Sequence, residues 1–145
     1  MKKDNCIFCK IINNELPSWT LYEDERFHVI LNRWPVAEGH ALILPKEHFE
    51  NIYDLPEDWC ADLMKVAKKM SIQMKKTLHC DGINLQNNNE AAAGQTIFHF
   101  HMHLIPRYQD NAQKEPVPVI GLAAYEPSEE ALDEVCRQIL TIKSC

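Results

Sequence analysis

Residues 99–107 read HFHMHLIPR, a histidine at every second position with Phe100, Met102 and Leu104 in the gaps. That alternation has the period of a β-strand, in which residues i, i+2 and i+4 share one face. His99, His101 and His103 are therefore expected on one side of a strand over 97–105, about 6.5–7 Å apart. Phe100, Met102 and Leu104 would turn into a packed interior. A polar strand face is ordinary, but an imidazole at each of three polar positions is not.

The chain on either side supplies a scaffold for such a strand. TLYEDERFHVIL (20–31) reads as two short strands around the polar turn 23–26, and RWPVAEG (33–39) as a loop, by its Pro35 and Gly39. HALILP (40–45) reads as a buried strand ending at Pro45. Asp54, Pro56, Glu57 and Asp58 mark a helix start, and Trp59, Leu63, Val66, Met70, Met74 and Leu78 recur at spacings of three and four. Lys75, Lys76 and His79 suit the negative end of its dipole, and Gly82 is a plausible stop. INLQN (83–87) is a strand and NNEAAAGQ (88–95) a polar loop leading into the histidines. The stretch 109–119 is Pro-rich and irregular. A last helix opens at Ser128, with Glu129 and Glu130 in its first turn and Leu132, Val135, Cys136 and Ile139 as its apolar face. The order β-β-β-α-β-β-α predicts an α+β fold: a five-stranded, mostly antiparallel sheet with two main helices. No repeat or linker divides the 145 residues, so a single domain over 1–145 is expected.

Composition narrows the function. The apolar share of 46% and charged share of 25% are those of a soluble globular chain. No apolar run approaches the roughly 20 residues needed to span a bilayer, so no membrane partner is expected. The N-terminus has two lysines but no apolar core of a signal peptide, which predicts a cytoplasmic protein. A net charge of −6 argues against a general nucleic-acid binder. It leaves room for an anionic small substrate in a pocket lined by backbone N–H groups. Of six cysteines, Cys60, Cys80, Cys136 and Cys145 stand singly and read as buried or inert thiols.

Three readings compete for the histidines. Solvent-exposed coincidence would suit one, not three in register. A metal site is possible, because His-x-His on a strand can aim two imidazoles at one ion. Yet the outer two lie about 13 Å apart along a flat strand, too far to share it. The third reading is nucleophilic catalysis, with His101 attacking phosphorus. Clustered imidazoles resist charging together, which keeps them neutral near pH 7, and a backbone carbonyl on Nδ1 would leave Nε2 free to attack. Catalysis ranks above metal binding. Gly94, Gln95 and Thr96, just upstream, could offer backbone N–H groups, an amide and a hydroxyl to phosphate oxygens. Asn87, Asn88 and Asn89 add short polar side chains suited to unusual turns.

HFHMHLI fits the pattern His-φ-His-φ-His-φ-φ, with φ apolar, and AGQTIFHFHMHLIPR resembles the full signature of the histidine triad family. GHALILPKEH (39–48) is similar to the family's strand and turn before its long helix, and the likeness covers residues 6–108, leaving 109–145 outside. The resemblance implies a nucleotide hydrolase or transferase acting at an α-phosphate. It gives His101 the covalent nucleotidyl intermediate and His103 the phosphate and leaving group. It places Asn88, Gly94, Gln95 and Thr96 in the nucleotide site. A third histidine rather than glutamine favours the hydrolase branches. The implied assembly is a homodimer with one continuous ten-stranded sheet. Where the family usually has an aspartate facing the ribose hydroxyls, this chain has Asn32, a departure that bears on nucleotide preference.

CIFC sets Cys6 and Cys9 at a spacing that lets two thiolates share an ion. By itself the motif is weak; a redox dithiol lacks its usual β-α-β setting. Two further ligands are needed, and His48 and His99 are the candidates. The resemblance supports a structural zinc on these four residues, leaving His101 and His103 for chemistry. It also places His40 behind the triad, where a histidine that only satisfies core hydrogen bonds is nearly as good a reading. His28 and His79 carry no signal. The expectation is therefore a zinc-containing hydrolase of purine nucleoside phosphoramidates or related nucleotidyl compounds, with no organic cofactor. Its rivals are a dinucleoside polyphosphate hydrolase and a non-catalytic nucleotide-binding or scaffolding module.

Overall fold

FHVIL at 27–31 and ALILP at 41–45 are buried at every position, which is what strands covered on both faces require. They form the centre of the sheet in the computed structural model, which describes residues 3–109 and 125–140. The elements run α1 (Ile7–Ile12), β1 (Thr20–Glu23), β2 (Phe27–Leu31), β3 (Ala41–Pro45), α2 (Glu57–Leu78), β4 (Gly82–Gln86), a 3₁₀ turn (Ala91–Ala93), β5 (Met102–Arg107) and α3 (Glu129–Leu140). The five strands lie in the order β1-β2-β3-β5-β4, and every neighbouring pair is antiparallel. The expected α+β sheet with two main helices is therefore present. No helix among the described residues is long and apolar enough to cross a membrane.

Alternation along each strand sorts side chains onto two faces. Phe27, Val29 and Leu31 from β2, with Ala41 and Ile43 from β3, join Leu63, Val66, Met70 and Met74 of α2 in the main core. The helix α3 closes that core with Leu132, Val135 and Ile139. Ile30, Leu42 and Leu44 emerge on the other face, where Phe8, Ile11 and Ile12 of α1 cover them. Arg26 ties the β1–β2 turn to α2 through Asp58 and Asp62, with its guanidinium over the Trp59 ring.

Several expectations need correction. The N-terminal segment holds a helix, α1, that the sequence reading did not include; Cys6 caps it by accepting the Cys9 N–H on its sulfur. The histidine strand begins at Met102, not at residue 97. Residues 97–99 bend instead, and the Phe100 amide donates to the Phe49 carbonyl rather than into the ladder. Phe100 and Leu104 are fully buried as expected, but Met102 is only partly so, and the histidines between them are buried as well. The long helix ends at Leu78, with His79 itself in the left-handed region, and Gly82 opens β4. Most of 109–119, and Cys145, lie outside the described residues.

Candidate functional site

The segment entering β5 places the three histidines at two adjoining centres. His103 lies within the ladder, opposite Leu42 on β3 and Gln86 on β4. His101, one residue before the strand, has its ring 5.0 Å from that of His103, and both line a cavity of about 550 Å³. His99 turns instead toward α1.

Hydrogen bonds fix the protons on these rings. His101 Nδ1 lies 2.8 Å from the His99 carbonyl oxygen, so Nδ1 carries the proton and Nε2 keeps its lone pair. His40 Nδ1 accepts from the Val36 N–H at 3.1 Å, so the His40 proton is on Nε2. That Nε2–H donates to His103 Nδ1, 2.9 Å away, and His103 must carry its own proton on Nε2. One ring thus offers a lone pair and its neighbour an N–H. Burial pushes the His101 imidazole below its ordinary range. It pushes His103 down to about 4 and His40 to about 3, the neighbouring imidazole adding to each. All three are neutral at pH 7, which is the state a nucleophilic nitrogen needs.

Opposite the histidines the cavity is apolar, walled by Phe8, Ile11, Leu16, Trp19, Ile30 and Leu42. Asn32, Asn88, Gly94 and Thr96 supply polar lining. Gln95 does not join them. Its buried amide accepts from the Glu90 N–H and donates to the carbonyls of Glu50 and Ile97, so the side chain stitches the turn from behind. The Gly94 and Gln95 amides are likewise committed, to the Ala91 and Glu90 carbonyls. Thr96, exposed at the lining, brings a hydroxyl. Asn87 holds the His101 carbonyl and Asn89 the Ile52 N–H, while Gln86 donates to Asn88 Oδ1. The Asn88 amide nitrogen can then donate toward the cavity. Asn32 Oδ1 accepts the Trp34 N–H at 3.0 Å, which engages its oxygen and leaves the amide nitrogen as its remaining donor group. Trp19, Trp34 and Arg33, which also line the cavity, carried no sequence signal; they come from the loops before β1 and after β2.

Cys6, Cys9, His48 and His99 converge as the sequence anticipated, their ligand atoms all within 4.8 Å of one another. Cys6 Sγ is 3.3 Å from His99 Nδ1, and Cys9 Sγ is 3.3 Å from His48 Nδ1 and 3.6 Å from His99 Nδ1. Zinc at ordinary Zn–S and Zn–N lengths needs tetrahedral S···N edges of about 3.5 Å. The donor set also fits in its outer contacts. His99 Nε2 donates to the Pro45 carbonyl at 2.9 Å, which leaves Nδ1 as the ligating atom, and the Lys3 and Cys9 amides donate to the two sulfurs. The four residues can hold a metal. Phe8 sets its ring edge-on to both His99 and His101, so the two centres share a wall.

Residues 13–110 match the HIT domain model, and the chain belongs to that family. It is 36% identical over 135 residues to the adenosine 5'-monophosphoramidase of Saccharomyces cerevisiae, covering 93% of this chain and 80% of that protein. Among solved structures it resembles a hypothetical histidine triad nucleotide-binding protein of Sulfolobus tokodaii. The TM-score is 0.81 and the identity 39%, over 92% of this chain and 89% of that one. A zinc-bound histidine triad family protein of Mycobacterium smegmatis superposes with a TM-score of 0.79 at 30% identity, over 97% and 96% of the two chains.

Proposed function

We propose that the protein hydrolyses purine nucleoside phosphoramidates at the α-phosphate through a nucleotidyl intermediate on His101. The observation that carries this is the His101 Nδ1–His99 carbonyl bond, which leaves a neutral ring with its Nε2 lone pair on a cavity wall. Nε2 attacks phosphorus as the P–N bond breaks, its electron pair going to the amine nitrogen. The Nε2–H of His103 hydrogen-bonds the phosphate and the departing nitrogen, which takes up a proton from solvent as it leaves. Water then displaces His101, its hydroxyl going to phosphorus, its proton to solvent and the P–N electron pair back to His101 Nε2. Thr96 and Asn88 donate to the phosphate oxygens, with Gly94 and Gln95 shaping their turn. Asn32 meets the ribose and the apolar wall takes the base. The relationship to the yeast monophosphoramidase supports this leaving group. Comparing turnover of an adenosine phosphoramidate with that of diadenosine polyphosphates tests it. Faster cleavage of the polyphosphates would move the reading to the rival hydrolase, and no turnover of either would leave a binding module.

The Cys/His cluster would hold zinc as a structural ion, joining α1 to the segment before β5 and supplying no step of the reaction. The edge strand β4, where Leu85 is 43% exposed, is the edge along which two copies would pair into a ten-stranded sheet. Light scattering gives the mass that tests the homodimer.

A further inference from the structure

The cavity draws part of its wall from outside the segment that matches the family model. Trp19 and Arg33 both line it, and both are held by residues beyond 110. The Trp19 indole N–H donates to Asp133 Oδ1 on α3 at 2.7 Å. Arg33 Nη1 donates to the Pro127 carbonyl at 2.9 Å, Nη2 reaches Glu126, and the guanidinium sits 5.9 Å from the Trp19 ring centre. Glu129, in the first turn of α3, lines the same cavity.

An indole with one face on a cavity has an apolar body and a polar tip, and a partner at the tip fixes the plane of the ring. Asp133 supplies that partner. The Pro127 carbonyl holds the guanidinium over the ring, within cation–π reach. We propose that residues 126–133 act as a specificity element, orienting Trp19 and Arg33 as the surface on which the base stacks and so setting a purine preference over pyrimidines. This rests on the nucleotide reading above. Asp133 touches no ligand; it is a positioning residue. A purine covers more of an aromatic face than a pyrimidine, so loosening that face costs the purine more.

The test is calorimetric titration of AMP and CMP into the full chain, with steady-state kinetics on an adenosine phosphoramidate. Asp133→Leu is expected to narrow the AMP/CMP affinity ratio by about three- to tenfold and to raise KM, leaving kcat within about twofold. Asp133→Asn, which keeps an acceptor, should restore most of the ratio. Trp19→Phe keeps an aromatic ring but removes the N–H, so in that background Asp133→Leu should have no further effect on the ratio. An unchanged ratio in Asp133→Leu, equal weakening of both nucleotides, or additive effects of the two substitutions would overturn the proposal. Wild-type protein that binds neither nucleotide would overturn the nucleotide reading and this element with it. Wild-type protein that prefers AMP beside an unaltered Asp133→Leu would sink the specificity element alone.

Discussion

His99 presents its side chain to Cys6 and Cys9 and its backbone carbonyl to His101, 2.8 Å from Nδ1. One residue thereby belongs to the Cys/His cluster and also sets the tautomer of its neighbour. His101→Ala and His101→Gly are expected to abolish phosphoramidate turnover while AMP binds within a few-fold of wild type. Loss of a general acid costs about 10²–10⁴-fold, and loss of a nucleophile should cost more. Either variant retaining most activity would remove His101 from the nucleophile's role.

Protein purified under reducing conditions without chelator should contain one zinc per chain. Cys9→Ala should lower the zinc content and the melting temperature together, because the ligands contribute folding free energy only with the ion in place. Elemental analysis and a thermal melt on the same preparations read both quantities. Zinc-free wild-type protein would count decisively against the assignment.

Asn32 accepts the Trp34 N–H on its oxygen, so in the proposed nucleotide site a ribose hydroxyl would meet mainly its amide donors. A carboxylate at this position could keep the Trp34 bond with one oxygen and accept from the ribose with the other. Hydrogen bonds to charged groups exceed neutral ones by roughly 1 kcal/mol, about fivefold in affinity. Asn32→Asp should therefore tighten AMP and sharpen discrimination against 2'-deoxy-AMP. Titrating both nucleotides into both proteins decides it; weaker AMP or an unchanged ratio means that residue 32 does not face the ribose.

The buried pair His40 and His103 makes stability pH-dependent. Folding depresses both from 6.5, to about 3 and about 4, chiefly through burial. Below pH 6.5 the unfolded chain then binds more protons than the folded one. The stabilisation is complete above about pH 6.5 and drains away as pH falls through about 4, each imidazole adding a slope of up to about 1.4 kcal/mol per pH unit. Urea midpoints at several pH values between 7.5 and 4.5 should show this decline, and His103→Gln should make it shallower. An identical slope in that variant would contradict the account.

Glu90 holds φ 73° and ψ 158°, a region that suits glycine and strains a side-chain-bearing residue. Relief of about 1–3 kcal/mol of strain, less about 0.4–1 kcal/mol for the freer unfolded chain, predicts that Glu90→Gly stabilises by about 1 kcal/mol. That corresponds to a melting temperature higher by about 3 °C. A lower melting temperature would show that the Glu90 side chain contributes more than its backbone costs.

Periodicity and turn chemistry made β1, β2, β3, α2, β4 and α3 legible, since each carries its own local pattern. The helix α1 did not show, because six residues give too short a period and Ile-rich helices form through packing rather than propensity. The start of β5 was misplaced because alternation persists through 99–103 although only Met102 onward is laddered; contacts with α1 and the Phe49 carbonyl bend the rest away. The convergence of Cys6, Cys9, His48 and His99 could be anticipated from residue chemistry and resemblance. The direction of a side chain could not. Gln95 turning inward, and the Asn32 oxygen already committed to Trp34, depend on backbone partners that no spacing encodes.

β5 begins at Met102, so the boundary between irregular and paired backbone runs through the histidine motif. Toward the N-terminus the segment is moored to a cage of thiol and imidazole side chains, and toward the C-terminus to two neighbouring strands. The interval from His99 to His103 is thus a spacer of fixed length between two separate moorings. Ordinary connecting segments absorb insertions and deletions readily. This one cannot, since adding or removing a single residue would either pull His99 from the cage or slip the strand and turn His103 to the opposite face.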